Sequence, residues 1–390
     1  MAKVLWYGDA CCNTGFGRVT HSVLEHLCKL HEVTVIGVNA VGDPHDYPFA
    51  IYPAATINAP DRHGFQRLPE IIDKVKPDIF IALNDIWVIN QAWERVHFLK
   101  ETHKFKFLAY FPVDSQSYCP DMLRNIPNWD LATTFTVQSA ERLMRNGVQT
   151  EKLAVIPHGV DIGRFSPRSK EESRRELGLP QDKFIVFNGN RNQPRKRIDL
   201  TIQTFAKFSV DKPDTMLYLH MGLKDLGWDV MPLFRHEMEK RGLVPDNRLI
   251  LTTNSMSYTD APPDELLNKI YNASDVGLNT ADGEGWGLVS FEHASCRKPQ
   301  VVPAHTVCED LWKDVGMTVD IATWIYDKDL GVERGLLNTD HAVELLNQLY
   351  TDKQVYNEVA DACYALTQRP EYRWENITKG FNAAVTDLLA

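Results

Sequence analysis

Four cations, Arg191, Arg195, Lys196 and Arg197, fall within seven residues of the run Asn188-Gly189-Asn190-Arg191-Asn192-Gln193-Pro194-Arg195-Lys196-Arg197. The run follows the apolar stretch Phe184–Asn188 and precedes the helical pattern Ile198–Phe208. Arginine offers a planar fork of donors to phosphate and lysine a compact point charge. Together they can neutralise a diphosphate leaving group without a metal ion. Most charge runs are solvated loops, but a position at the end of a strand favours an anion site. A second segment, Asp282-Gly283-Glu284-Gly285-Trp286-Gly287-Leu288, is followed by Glu292, eight residues beyond Glu284. Carboxylates placed this way accept hydrogen bonds from sugar hydroxyls. The amides at the start of the following helix suit phosphate. The plainer alternative is a capping carboxylate followed by a solvated glutamate. A third segment, Gly15-Phe16-Gly17, follows the first strand-like run. Glycines there let the backbone approach a ligand and present its amides, or simply make a tight turn. Asp327-Lys328-Asp329 has the spacing of a metal-binding pair of aspartates but lacks a buried strand before it, so it reads as a surface turn. Cys11-Cys12 with His21 is set aside as a metal site.

Elements that would position these segments alternate between strand-like and helix-like. Lys3–Tyr7 is a short apolar run, followed after the glycine turn by Val19, Val23, Leu24, Leu27 and Leu30 at helical spacing. His31–Val38, Pro77–Leu83 and Phe105–Phe111 read as buried strands. The pattern restarts after the polar connection 159–175, with strands expected at Phe184–Asn188, Met216–His220, Leu249–Thr252, Val276–Asn279 and Gln300–Pro303. Helices are expected at Ile198–Phe208 and from Leu288 to Cys296. This alternation predicts an α/β chain with parallel sheets covered by helices on both faces. In such sheets ligands bind at the carboxyl ends of strands, where all three segments lie.

Length and composition narrow the classes. The 390 residues suit two or three domains, and 44% hydrophobic with 24% charged residues is ordinary for a globular chain. No apolar run approaches the ~20 residues of a membrane span, and the first apolar run, broken at Gly8-Asp9, is too short for a signal peptide. Seven scattered cysteines suggest free thiols in a reducing, cytoplasmic setting. Residues 1–170 carry 18 Lys and Arg against 18 Asp and Glu, so the remainder holds the whole net charge of −10. Neither half has the bulk basic footprint of a nucleic-acid binder.

The three segments, in this order, resemble the retaining glycosyltransferases of the GT-B fold, in particular family 4. Glu284 to Glu292 fits that family's pair of glutamates separated by seven residues. Arg191, Lys196 and Asp199 fit its Arg-x4-Lys-Gly-x-Asp segment, and Val155-Ile156-Pro157-His158-Gly159-Val160-Asp161 with Phe165 fits its interdomain signature. Trp374-Glu375-Asn376-Ile377 is similar to its C-terminal segment. The resemblance implies two doubly wound Rossmann-like domains facing across a cleft. These would be an acceptor-binding domain at 1–165, a nucleotide-sugar-binding domain at 166–368, and a helix at 369–390 crossing back onto the first.

The resemblance also implies roles. Arg191 and Lys196 would grip the donor diphosphate, Glu292 the ribose, and Glu284 the donor sugar. The backbone of Gly285, Trp286, Gly287 and Leu288 would touch sugar or phosphate, and amides near Gly15 and Gly17 would face the diphosphate. Asp114 takes the place of the family's acceptor-domain histidine. No cofactor or essential metal ion is implied, the nucleotide-diphosphate sugar (UDP- or GDP-linked) being a substrate. Two departures stand out: Arg197 and Arg297 occupy positions where the family has glycine. The acceptor is open between a saccharide, a small molecule and a hydroxymethylated DNA base, the last served by a patch including Arg67, Lys74 and Lys100. Stable membrane insertion is not expected. A non-catalytic nucleotide-sugar binder and a sugar-nucleotide epimerase remain as alternatives.

Overall fold

The first strand, β1 (Lys3–Asp9), is buried from Val4 onward, which requires cover on both sheet faces. In the computed structural model, which describes residues 1–390 other than 41, 43–44, 57–59, 224 and 253–262, that cover is present. The chain divides into two compact units: residues 1–113, 117–159 and 370–390 in one, residues 114–116 and 160–369 in the other.

The first unit holds β2 (Glu32–Val38), β3 (Ala50–Pro53), β4 (Ile79–Leu83), β5 (Lys106–Tyr110), β6 (Ser117–Tyr118), β7 (Leu131–Thr134) and β8 (Leu153–Val155). Its main sheet runs β3-β2-β1-β4-β5-β7-β8, with every pair parallel. The chain winds outward from β1 to β3 and returns to the other side at β4, so the order reverses between β1 and β4. The helix Gly15–Leu27 starts at that reversal.

The C-terminal helix Trp374–Leu389 belongs to this unit and packs on the helix Gly15–Leu27. Phe381 carries the contact: it is fully buried, with its ring centroid 5.6 Å from that of Trp6 and 4.9 Å from that of Tyr110. Gly159 is required here, because a Cβ would stand 2.4 Å from the Tyr372 carbonyl oxygen. The neighbouring His158 ring lies 3.8 Å from Phe135, and burial lowers its imidazole to about 3, so it packs as a neutral group.

The second unit holds β9 (Phe184–Asn188), β10 (Thr215–Leu219), β11 (Leu249–Leu251), β12 (Val276–Leu278), β13 (Gln300–Pro303) and β14 (Met317–Val319). They form a sheet ordered β11-β10-β9-β12-β13-β14, again parallel. Its core joins Val186, Leu217, Val276 and Val301 from the strands to Ile198, Ile202 and Phe205 from the helix Ile198–Phe208. The order reverses between β9 and β12, and the basic run follows β9 while the glycine-rich segment follows β12. The sheet therefore brings the two charged segments together at its switch point.

One element departs from this pattern. β15 (Ile321–Asp327) and β16 (Val332–Leu337) form an antiparallel hairpin. Asp327-Lys328-Asp329 is its turn, with Asp327 Oδ1 accepting from the Asp329 amide at 3.0 Å.

Candidate functional site

Lys196 ends the short 3₁₀ turn Pro194–Lys196, and Pro194 fixes the backbone as that turn leaves the strand end. Its Nζ donates to Glu284 Oε1 at 2.6 Å, and both side chains are largely withdrawn from water. Asn279 Nδ2 also donates to Oε1, at 3.2 Å, and the Glu284 amide is held by Thr306 Oγ1 at 3.2 Å. Arg195 approaches the other carboxylate oxygen at 3.4 Å and donates to the Gly283 carbonyl. Burial alone would push the Glu284 carboxyl up. The adjacent Lys196 and Arg195 charges outweigh it and hold that carboxyl at about 2, so it is ionised throughout the physiological range.

Backbone ties hold the two loops in register. The Asp282 amide donates to the Arg195 carbonyl at 2.9 Å, and Thr280 Oγ1 donates to the Arg197 carbonyl at 2.9 Å. His305 Nε2 lies 2.9 Å from the Ala281 carbonyl oxygen. Thr306 has a φ of 47°, unusual for a β-branched residue, while its hydroxyl serves the Glu284 amide.

Asp114 joins this site although it lies far upstream, because residues 114–116 cluster with the second unit. Its carboxylate is 3.6 Å from Arg195 Nε and 3.7 Å from Arg334 Nη2. Arg334 comes from β16 and was invisible to motif reasoning; it also faces Asp282 at 3.8 Å and Asp327 at 3.7 Å. Asp282 itself is 5% exposed, and its Oδ1 has no hydrogen-bond partner among the described residues. Burial raises its carboxyl to about 6 despite the nearby arginines.

Gly283 lies against Asp114 so closely that a Cβ would stand 1.9 Å from the Asp114 carbonyl oxygen. Both partners in that contact are backbone, so neither can swing away. Gly283→Ala is expected to cost about 1–3 kcal/mol, as overpacked sites do, read as a lowered melting temperature. An unchanged melting temperature would show that the loop retreats without strain.

Other expected site residues take separate places. Arg191 forms a forked pair with Asp225, through Nε at 3.1 Å and Nη2 at 3.2 Å, so the second cation beside Lys196 at Glu284 is Arg195. Glu292, in the helix Leu288–Ser295, is buried and accepts from the Tyr271 hydroxyl at 2.8 Å. Trp286 is 3% exposed and packs on Phe291, with ring centroids 5.2 Å apart. Gly287, at φ 81°, makes the left-handed turn before Leu288. Gly285 is buried as well.

In the first unit, Gly17 approaches the Cys12 carbonyl so closely that a Cβ would stand 2.3 Å from it. Its amide is used by the Thr14 hydroxyl at 3.0 Å, which caps the helix that Gly15 opens. Arg197 and Arg297 both adopt positive φ, 47° and 58°. The left-handed backbone explains why glycine is suited to those positions. Arg197 is forked onto Asp199, with Nη2 2.6 Å from Oδ2, and Arg297 pairs with Asp361. Of the basic patch in the first unit, Lys100 pairs with Asp130, Arg67 donates to the Pro53 carbonyl and Lys74 lies over the Tyr52 ring.

Among the described residues, no group of three His, Cys, Asp or Glu side chains is placed to hold a metal ion. No helix among them is long and apolar enough to cross a membrane.

No family model matches the chain. A D-inositol 3-phosphate glycosyltransferase of Segniliparus rotundus is 32% identical over 158 residues, 39% of this chain and 31% of that protein. The enzyme of the same name from Actinosynnema mirum is 25% identical over 273 residues, 65% of this chain and 60% of that protein. Across such curated relatives the chain spans 31% to 64% of their length. A sucrose-phosphate synthase from Thermosynechococcus elongatus superposes with a TM-score of 0.77 at 17% identity, covering 100% of this chain and 99% of that one. Anabaena HepE, solved in complex with UDP-glucose, superposes with a TM-score of 0.74 at 15% identity, covering 99% of this chain and 100% of that one. The chain has the GT-B fold and in sequence resembles the family 4 glycosyltransferases.

Proposed function

We propose that the chain is a retaining glycosyltransferase that moves a hexose from a nucleotide-diphosphate sugar, UDP- or GDP-linked, to an acceptor hydroxyl without an essential metal ion. The observation that carries this reading is the buried Lys196–Glu284 pair, with Arg195 beside it, at the switch point of the second sheet. Lys196 supplies positive charge for the departing diphosphate, and Arg191 adds a second cation once a phosphate competes with Asp225. Glu284 orients the donor sugar, Glu292 receives the ribose hydroxyls, and the amides from Gly285 to Leu288 face the donor. Amides near Gly15 and Gly17 are assigned to the diphosphate, and Asp114 to the sugar or acceptor. The neighbour solved with UDP-glucose supports a nucleotide-sugar donor.

In this reading the acceptor hydroxyl attacks the anomeric carbon from the face that the diphosphate leaves. The bond from anomeric carbon to phosphate oxygen breaks, the new glycosidic bond forms, and a β-phosphate oxygen takes the acceptor proton. Configuration is retained without a protein nucleophile, and the protein contributes positioning and charge.

The test is thermal stability in EDTA with UDP, GDP, ADP and their sugar conjugates. A ligand at about 100 times its Kd adds about 2.7 kcal/mol. A shift with one base only would name the donor; no shift with any of them would overturn the reading. Nucleotide release only when an acceptor is present would separate transfer from epimerisation. The acceptor is then found by screening saccharides, small hydroxylated molecules and hydroxymethylated DNA, in a reducing buffer suited to a cytoplasmic protein.

A further inference from the structure

The Arg334 guanidinium has five N–H donors and meets three carboxylates, yet none of them within hydrogen-bond distance. Asp114 lies at 3.7 Å, Asp282 at 3.8 Å and Asp327 at 3.7 Å. Among the described residues its hydrogen bond is a long one, from Nε to Ser115 Oγ at 3.5 Å. Arg334 is nevertheless well enclosed, its side chain 11% exposed. Spacings of this size are those that a bridging hydroxyl or water fills. Asp282 repeats the signal from the other side: a carboxylate 5% exposed, with an oxygen that no donor among the described residues reaches. A buried acceptor left this way is costly unless a partner arrives.

The arrangement is built rather than accidental. The Gly335 amide donates to the Asp282 carbonyl at 3.0 Å, which ties β16 to the glycine-rich loop. The Asp282 amide is tied to the Arg195 carbonyl. Asp282 and Glu284 are separated by one glycine, so a ring held by Glu284 is within reach of Asp282.

A sugar hydroxyl both donates and accepts. It can accept from Arg334 while donating to Asp282 or Asp114, completing both at once. Charge narrows the sugar further. Asp114, Asp282, Asp327 and Glu284 stand against Arg195, Lys196 and Arg334, an excess of carboxylates that disfavours a second anion on the ring.

Building on the proposed donor reading, we propose that Arg334, Asp282 and Asp114 form a hydroxyl-recognising subsite that selects a neutral hexose on the donor over a uronic acid. The structural role that competes with this is simple anchoring of the β15–β16 hairpin.

The test measures the affinities of the full chain for UDP, UDP-glucose and UDP-glucuronate, or for GDP and GDP-mannose if the stability screen selects guanine. The variants are Arg334→Gln, Arg334→Lys and Asp282→Asn, each with its melting temperature. Wild type should bind UDP-glucose more tightly than UDP and UDP-glucuronate. Arg334→Gln should reduce the UDP-glucose to UDP affinity ratio by at least about tenfold, the scale of hydrogen bonds to a charged group, while UDP affinity stays as in wild type. Arg334→Lys keeps the cation but not the fork, so it should also lose the ratio while holding the hairpin. Asp282→Asn should narrow the gap between the glucose and glucuronate conjugates. Equal wild-type affinity for UDP and UDP-glucose would overturn the subsite. So would a loss in Arg334→Gln that falls equally on both ligands together with melting temperature, which is the signature of anchoring. Failure to bind any nucleotide would overturn the donor reading beneath it.

Discussion

Replacing Lys196 by alanine should lower turnover by about 10²–10³, the usual cost of removing a preorganised group that stabilises developing charge. The same change should destabilise the fold, because it strips the closest cation from a carboxylate that is 3% exposed. Breaking a buried ion pair from one side costs about 3–5 kcal/mol. Arg195 at 3.4 Å and Asn279 at 3.2 Å remain on Glu284, which places the expected loss at the lower end. The pH dependence has a definite sign. Glu284 titrates lower in the folded chain than its usual value of 4.5, at about 2. Its contribution is therefore present above about pH 4.5 and fades as pH falls towards 2. Without Lys196 the folded value rises, so acid unfolding should begin at higher pH. The double variant Lys196→Ala, Glu284→Gln isolates the effect on stability, while the effect on turnover is read from Lys196→Ala alone, because Glu284 is itself assigned to the donor sugar. Stability should recover, because no uncompensated charge is left. Wild-type turnover in Lys196→Ala would end the leaving-group role.

The contrast between what could and could not be read from sequence follows burial and chain separation. Phe184–Asn188 and Ile198–Phe208 are found at the expected residues, because a strand buried on both faces and a helix with one apolar stripe leave strong patterns. The pairing of basic turn and glycine loop was also legible, since a parallel sheet puts both at strand ends. Of the four cations, Lys196 was among those named, and it does lie on Glu284; that Arg195 rather than Arg191 joins it there was not legible. Spacing singled out Arg191 and Lys196, but the turn at Pro194 directs Arg195 inward and leaves Arg191 on Asp225. Arg334 left no motif. Its hairpin partner, β15, exposes Trp324 and Tyr326, so the strand lacks the buried run by which the others were recognised. The alternation in Ile321-Ala322-Thr323-Trp324-Ile325-Tyr326 before an aspartate-rich turn was the available signal. Asp114 was named only through the family resemblance, because its contacts lie with residues about 80 and 220 positions away, which no local pattern encodes.

Asp282→Asn should make the protein more stable, and increasingly so as pH rises. Burial lifts the Asp282 carboxyl from 3.8 to about 6, more than Arg334, Arg195 and Arg197 pull it down, with Asp114 adding to the rise. A carboxyl raised on folding favours the native state most below its unfolded value, and that advantage is lost as pH climbs through about 6. At pH 7 and above the ionised group opposes folding by about 3 kcal/mol, since a tenfold change in proton affinity is worth about 1.36 kcal/mol. Asparagine keeps the shape and removes the titration. The gain from the substitution should therefore be larger at pH 8 than at pH 5, where the wild-type carboxyl is mostly protonated, by on the order of 1 kcal/mol. Chemical unfolding of both proteins at the two pH values measures this directly. A gain independent of pH would mean that Asp282 ionises in the folded chain as it does in water, with its charge absorbed by Arg334. A pH-dependent gain would mark Asp282 as a group held at an energetic disadvantage by the fold. Such a disadvantage persists where function uses it. On the proposed subsite the ligand that relieves it is a hydroxyl placed between Asp282 and Arg334, so saturating nucleotide sugar should stabilise wild type more than Asp282→Asn, and nucleotide alone should stabilise both alike.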